Sequence, residues 1–159
     1  MTRKTNSARV TRRTVTAGIA ASALAGVSHF NIVRAQNAPL KVGVLLPRSG
    51  FQAGIGQDCQ RGVDVSSAIL KSMGMPDLQI MNADTETNVD VARSRAEKLI
   101  ADGAQLLVGA FDSGQSSAIA QVAEQKGIPF VINIAAAPPI TEQGYKFVFR
   151  NFPTAPTIL

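Results

Sequence analysis

The stretch LKVGVLLPRSGFQAGIGQDCQRG, residues 40–62, decides the fold class. Its first seven residues are mostly aliphatic and end at Pro47, a composition typical of a buried strand. A loop with three glycines follows, and from Gly56 to Met73 apolar residues recur at helical spacing. A strand, a glycine-rich loop and a helix in this order predict the start of a βαβ unit.

The same alternation continues along the chain. Further strands are predicted at 78–83, 106–109, 129–133 and 147–150. Asn88 is expected to cap a second helix that ends at Gly103, and the small-polar loop 112–117 leads into a third helix that ends at Gly127. Aliphatic strands without alternation indicate burial of both faces. We therefore predict an α/β fold, a doubly wound parallel sheet with helices on both faces.

In such sheets, ligands bind at the carboxyl ends of the strands. The loops expected at that edge are 47–55, 84–88, 111–117 and 134–138. They carry small side chains, which let backbone amides approach a ligand closely. Ser113 and Ser117 are predicted to precede a helix whose free N–H groups favour an anionic group.

Charge is distributed unevenly along the chain. The first 35 residues contain six basic residues and no acid, whereas residues 36–159 contain 10 basic and 11 acidic residues. The sequence pI of about 9.9 therefore reflects the N-terminal segment, and it does not indicate nucleic-acid binding. The single histidine, His29, also lies in that segment. A catalytic or metal site that needs imidazole is thus excluded from residues 36–159.

The N-terminal segment has the features of an export signal. Arg12 and Arg13 precede the uncharged run 17–27, eleven small or apolar residues. A membrane span needs about 20 residues, so this run fits a secretory peptide better. The paired arginines resemble a twin-arginine signal. We predict that residues 1–35 are a signal peptide cleaved between Ala35 and Gln36, and that the mature protein is periplasmic.

Motifs for catalysis are incomplete. Gly54-Ile55-Gly56 could open a dinucleotide fingerprint, but the third glycine would fall on Cys59. The segment Asp112-Ser113-Gly114 lacks the Gly-x-Ser-x-Gly pattern of a nucleophile elbow. We therefore expect no enzyme activity, no cofactor and no metal. Cys59 is interpreted as a small half-buried residue of the first helix.

Several short motifs follow one another in a characteristic order along residues 38–159. They are KVGVLLPRSG at 41–50, GQD at 56–58, ADT at 83–85, AEKLI at 96–100, LVG at 107–109, AEQKGIP at 123–129 and GYKFVFR at 144–150. Together they resemble the leucine/isoleucine/valine-binding protein family, the type I periplasmic solute-binding proteins of ABC transporters. This resemblance implies two α/β lobes that close on a ligand. Residues 36–159 would form most of the N-terminal lobe, and we expect nearly all of the second lobe to be missing from this truncated chain.

The resemblance also implies ligand-binding positions. A serine after the third strand holds the ligand carboxylate with its hydroxyl and neighbouring amides, and Ser113 followed by Gly114 occupies that place. After the fourth strand, a backbone carbonyl and a threonine hydroxyl receive the ligand ammonium. The matching residues are Ile134, Ala135 and Ala136, and Ala136 replaces the threonine.

A further position covers the ligand with an aromatic ring in the family, and Ile55 stands there instead. The missing hydroxyl favours a carboxylate or amide with an apolar body and no α-ammonium, such as an aromatic or aliphatic acid. If the second lobe compensates for the missing hydroxyl, a branched-chain amino acid is an equally good candidate for the ligand. The expected partners are this small molecule and an ABC permease in the inner membrane. Two alternatives remain, a sensor subunit of a membrane receptor and an enzyme with its catalytic groups in the missing half.

Overall fold

The computed structural model describes residues 38–158, so the predicted signal peptide lies outside the described residues. The strands are β1 Leu40–Leu46, β2 Leu78–Asp84, β3 Leu106–Gly109, β4 Phe130–Ile132 and β5 Val148–Arg150. The helices are α1 Ala53–Ser72, α2 Val89–Ala101, α3 Ser113–Lys126, α4 Pro139–Glu142 and α5 Ala155–Ile158. Strands and helices alternate throughout, as the sequence predicts.

The strands form one sheet in the order β2-β1-β3-β4-β5, and every neighbouring pair is parallel. The connection through α1 runs outward from β1 to β2, whereas the later connections run the opposite way across the sheet. Right-handed crossovers therefore put α1 on one face and α2, α3 and α4 on the other. The predicted doubly wound parallel sheet with helices on both faces is confirmed.

The main core lies between the sheet and helices α2 and α3. Leu45, Leu107, Phe130 and Ile132 enter it from three strands, and each is 0% exposed. Small residues on the helices let them approach the sheet closely: Ala92, Ala96, Ala120 and Ala123 belong to the same core. Full burial of one such leucine contributes about 1.5–3 kcal/mol, so this face supplies most of the stability of the sheet.

On the opposite face, α1 packs against a smaller core. Val42, Val44 and Leu46 form this core, with Cys59 and Val63 of α1 partly buried against it. Gly56 is the single buried residue of the helix. A Cβ at this glycine would lie 2.0 Å from the carbonyl oxygen of Pro47, so the first turn can approach the preceding loop only without a side chain.

Asn88 caps α2 as predicted, because its side chain accepts hydrogen bonds from the amides of Asp90 and Val91. The start of α3 differs from the prediction. Asp112 caps this helix, which begins at Ser113, so Ser113 and Ser117 lie inside its first turns rather than before it.

Two smaller differences concern α1 and α4. Helix α1 begins three residues before the predicted start, and α4 was not predicted.

None of the helices between residues 38 and 158 has the length and hydrophobicity that a membrane span requires.

Candidate functional site

The predicted ligand positions lie at the carboxyl edge of the sheet, where the loops after β1, β2, β3 and β4 meet. Ser113 begins α3 directly after the loop that follows β3. The amide N–H of Ala137, in the loop that follows β4, donates a hydrogen bond to Ser113 Oγ at 3.3 Å. The structure thus joins two segments that the sequence assigned separately to the ligand.

This contact leaves the Ser113 hydroxyl able to donate. A hydroxyl has two acceptor lone pairs and one O–H, and the Ala137 amide uses a lone pair. The amides of Ser113 and Gly114, in the first turn of α3, have no acceptor among residues 38–158. One hydroxyl and two amide donors are therefore available to an anionic group at the start of this helix.

Asp112 directs its carboxylate back onto α3. Its Oδ1 accepts a hydrogen bond from the Gln115 amide at 2.9 Å, and its Oδ2 accepts one from the Gln115 side chain. Both oxygens are occupied within the first turn, where a negative charge complements the helix dipole. The free donors of Ser113 and Gly114 are therefore not consumed by this cap.

Arg150 determines the shape of the loop after β4. Its guanidinium donates to the carbonyl oxygens of Ala135 and Ala137 at 2.5 and 2.6 Å, and to Thr141 Oγ1 at 3.2 Å. An arginine presents its donors in a planar fork, so two carbonyls held together define the turn between them. The sequence alone assigns no role to Arg150, which stands in the motif GYKFVFR.

The three predicted residues of this loop are placed differently. The side chain of Ala135 is buried in the main core. The carbonyl of Ala136 accepts a hydrogen bond from the Ala155 amide at 2.9 Å, whereas the carbonyl of Ile134 has no donor among residues 38–158. Ile134 therefore retains the free backbone carbonyl of this loop.

Ile55 and Gly114 lie at the margins of this edge. Ile55 is in the first turn of α1, with 42% of its surface exposed. A Cβ at Gly114 would lie 3.3 Å from both Asp112 and Val89 Cγ2, so that position faces the start of α2. The structure does not show Ile55 or Gly114 in contact with the loop after β4.

Asp84, at the end of β2, ties the first two loops together. Its Oδ1 accepts hydrogen bonds from the amides of Arg48, Ser49 and Glu86 at 2.9, 3.2 and 2.9 Å. Partial burial acts to raise the pKa of Asp84, but hydrogen bonds from Glu86, Ser49 and Arg48 outweigh it and lower the pKa below its ordinary value. The carboxylate is therefore charged and structural.

Gln52 links the first loop to α3, because its Oε1 accepts a hydrogen bond from Gln115 Nε2 at 3.2 Å. Gln115 and Ser116 are almost completely buried, yet Gln115 Oε1 and Ser116 Oγ have no partner among the described residues. Buried polar atoms normally have partners, so this turn has unused hydrogen-bonding capacity beside Ser113.

Two cavities of the described region are lined by other residues. A groove of about 410 Å³ lies between α1 and the sheet, and a charged cleft of about 280 Å³ lies beside β2. Neither contains Ser113, Ile55 or the predicted residues after β4. The candidate site is therefore an open surface at the carboxyl edge of the sheet and not an enclosed cavity.

The residues from 38 to 158 contain no group of three His, Cys, Asp or Glu side chains that could bind a metal.

A protein-family model described as periplasmic binding protein matches residues 39–158. A Leu/Ile/Val-binding protein homolog of Brucella abortus is 30% identical over 123 residues, which are 75% of this chain and 31% of the relative. This chain spans about a third of the length of the curated relatives that it matches.

Two solved structures share the fold. A leucine-binding protein of Thermotoga maritima has a TM-score of 0.69 at 26% identity, over 74% of this chain and 34% of its own. A solute-binding protein of an ABC transporter from R. palustris, in complex with benzoate, has a TM-score of 0.64 at 32% identity, over 73% of this chain and 33% of its own.

Proposed function

Since the chain belongs to the periplasmic binding protein family, we propose that it is the extracytoplasmic solute-binding component of an ABC importer. In this proposal, residues 1–35 direct export and are removed, and residues 36–159 form the N-terminal lobe of a two-lobed protein. A small solute binds between the lobes and is passed to a permease in the inner membrane. The similarity to binding proteins for benzoate and for leucine supports a role in solute binding.

The ligand that we propose is a small carboxylate with an apolar body. The observation that carries this choice is the contact between Ser113 Oγ and the Ala137 amide, which leaves the hydroxyl free to donate to an anion. The amides of Ser113 and Gly114 add two donors at the positive end of α3. Hydrogen bonds to a charged acceptor are worth about 1.5–3 kcal/mol each.

This lobe offers few hydrogen-bond acceptors to an α-ammonium group. Ala136 supplies no side-chain oxygen, and its carbonyl already accepts from Ala155. Ile134 offers the remaining backbone carbonyl in the same loop. Burial of an ammonium that lacks one hydrogen-bond partner costs about 1–3 kcal/mol of binding free energy, so the lobe favours an acid without this group. Benzoate-like acids and aliphatic acids both meet this description.

The proposal is tested by calorimetric titration of the full-length protein with benzoate, an aliphatic acid and leucine. We expect the acids to bind more tightly than leucine, and Ser113→Ala to weaken acid binding about tenfold or more. Ser117→Ala is the matched control, because Ser117 lies one turn further along α3. Sub-micromolar leucine binding by the unaltered protein would contradict the proposed ligand class.

A gain-of-function variant addresses the ammonium directly. Ala136→Thr restores the hydroxyl that the family resemblance implies, so we expect leucine affinity to rise about tenfold while benzoate affinity changes little. An unchanged affinity for leucine would show that the second lobe, rather than this loop, decides whether an ammonium is accepted. Cell fractionation tests the location, and an unprocessed cytoplasmic protein would contradict the export step.

A further inference from the structure

Arg150 lies at the carboxyl end of β5, beside the loop that follows β4. It is paired in register with Ile132, the last residue of β4. Because side chains alternate along a strand, Arg150 points to the same face of the sheet as Val148, which belongs to the main core. Its side chain is half-buried there, and its guanidinium reaches the backbone of the loop.

Three consecutive carbonyls of this loop are held from the end of the chain. Arg150 donates to the Ala135 carbonyl from Nη1 and to the Ala137 carbonyl from Nη2. Hydrogen bonds from a charged donor are roughly twice as strong as neutral ones. The carbonyl between these two, that of Ala136, accepts from the Ala155 amide at 2.9 Å. The peptide groups of the loop are therefore fixed in their orientations.

This arrangement directs the amide that contacts Ser113. The N–H of Ala137, which donates to Ser113 Oγ at 3.3 Å, belongs to the peptide group between Ala136 and Ala137. A trans peptide group is planar, so its N–H points away from its carbonyl. The peptide groups on both sides carry the two carbonyls that Arg150 binds. The central group cannot turn without turning these neighbours, so the guanidinium fixes the direction of the Ala137 N–H.

The guanidinium also carries a charge that no side chain of this region neutralises. Among residues 38–158, no Asp or Glu forms an ion pair with Arg150. Its positive charge therefore favours an anion at this edge of the sheet, whatever the shape of the loop. The charge and the planar fork are separable, because lysine keeps the first and lacks the second.

We propose that Arg150 is a positioning residue for the ligand carboxylate, and that it acts through the Ala137 amide on the hydroxyl of Ser113. The inference rests on the proposed function. The Ala137 N–H occupies a lone pair of Ser113 Oγ, so the O–H is the group left to donate to a carboxylate. Without the fork the loop turns, the amide leaves Ser113, and the hydroxyl is no longer held in the donating orientation. The effect concerns the carboxylate, and we expect it for any ligand that carries one.

The test is calorimetric titration of the full-length protein and its Arg150→Lys and Arg150→Met variants with benzoate, hexanoate and leucine. We expect Arg150→Lys to raise the Kd of each ligand that binds about fivefold, because lysine cannot bridge both carbonyls. Arg150→Met also removes the charge and should raise the Kd about tenfold or more. Arg93→Lys is the matched control, since Arg93 is also half-buried and donates to Gln121 at 2.7 Å, and it should leave the Kd unchanged. Thermal melting checks that each variant is folded.

A double-mutant cycle with Ser113→Ala distinguishes positioning from a general effect on stability. If Arg150 acts through the hydroxyl, Arg150→Lys should change the Kd less than about twofold once Ser113 is alanine. Equal effects with and without the hydroxyl would overturn the inference. If Arg150→Lys does not fold, Thr141→Val takes its place in the cycle, because it removes the third acceptor of the guanidinium, at 3.2 Å. We expect it to raise the Kd about threefold, and only when Ser113 is present.

The outcomes separate this inference from the proposed function. If the unaltered protein binds one of the three ligands and Arg150→Lys binds it equally well, the role of Arg150 is wrong while the proposed function stands. If the unaltered protein prefers leucine, the proposed ligand class is wrong, and the cycle with leucine decides the role of Arg150. If it binds no small acid, the proposed function fails, and the inference fails with it.

Discussion

The two faces of the sheet are covered to very different extents. Helix α3 buries seven of its 14 residues, whereas α1 buries one of its 20. The apolar residues with which α1 meets the sheet form one narrow stripe, whereas the buried residues of α3 are spread around about half of its circumference. The rest of the difference lies in how many helices share each face, which the order of the strands determines.

On the face of α2 and α3, neighbouring helices close the space above the strands. On the other face, α1 is the only helix of residues 38–158 that lies above β1, and a groove of about 410 Å³ remains along β1 and β3. Leu106 and Val108 line this groove, and Phe149 on β5 is 52% exposed on the same face. An amphipathic pattern therefore predicts which side of a helix meets the sheet, while the topology decides how deeply that side is buried.

Truncating adjacent leucines on β3 tests this difference most strongly. Leu107 is 0% exposed in the main core, and Leu106 lines the groove. We expect Leu107→Ala to lower the free energy of unfolding by about 2–5 kcal/mol, because it leaves a cavity, and Leu106→Ala to lower it by about 1 kcal/mol. Urea denaturation of residues 36–159 measures both. Equal losses would mean that the two faces are packed alike, contrary to the comparison.

Two glycines of α1 test which part of this helix is in closest contact with the rest of the protein. A Cβ at Gly56 would lie 2.0 Å from the Pro47 carbonyl oxygen, and a Cβ at Gly62 would have nothing within 4 Å. We expect Gly56→Ala to cost about 1–3 kcal/mol through displacement of the first turn. Gly62→Ala should stabilise by about 0.5–1 kcal/mol through helix propensity alone. If both substitutions stabilise the protein, the close contact between Gly56 and Pro47 does not position α1, and other contacts of the helix do.

The sequence predicts most of the fold because its strands and caps are local features. The bounds of β3 and the cap at Asn88 are confirmed, since an aliphatic run and a capping side chain need no distant partner. The predicted start of α3 was wrong, although a local signal for the correct start existed. Asp112 followed three residues later by Gln115 is a capping-box pattern, and it would have moved the helix start to Ser113.

The candidate site is less predictable, because its geometry comes from contacts between distant segments. The hydrogen bonds from Arg150 reach back 15 and 13 residues to Ala135 and Ala137, and a single arginine in a strand gives no sign of them. The loop before α1 depends on Thr87, whose Oγ1 accepts a hydrogen bond from the Gln52 amide 35 residues away. The family resemblance suggested Ser113 and Ile55 by residue type, which does not show how many of their atoms stay free to contact a ligand.

Cys59 offers the smallest and most local test of the open face. It is the single cysteine of the chain and lines the groove, so a labelling signal reports one position. Burial raises the pKa of its thiol above the ordinary value, so at a given pH less thiolate is present and alkylation by iodoacetamide is slower than in the urea-unfolded chain. The rate should keep rising at pH values where an ordinary thiol is already ionised.

The extent of protection then decides between an open and a closed face. A thiol reached only by global unfolding is protected by roughly 10³-fold or more. For Cys59 we expect protection well below that limit, because the groove admits the reagent without unfolding of the sheet. Mass spectrometry of the alkylated protein over time measures the rate. Protection as strong as that of global unfolding would mean that α1 closes its face as tightly as α2 and α3 close theirs.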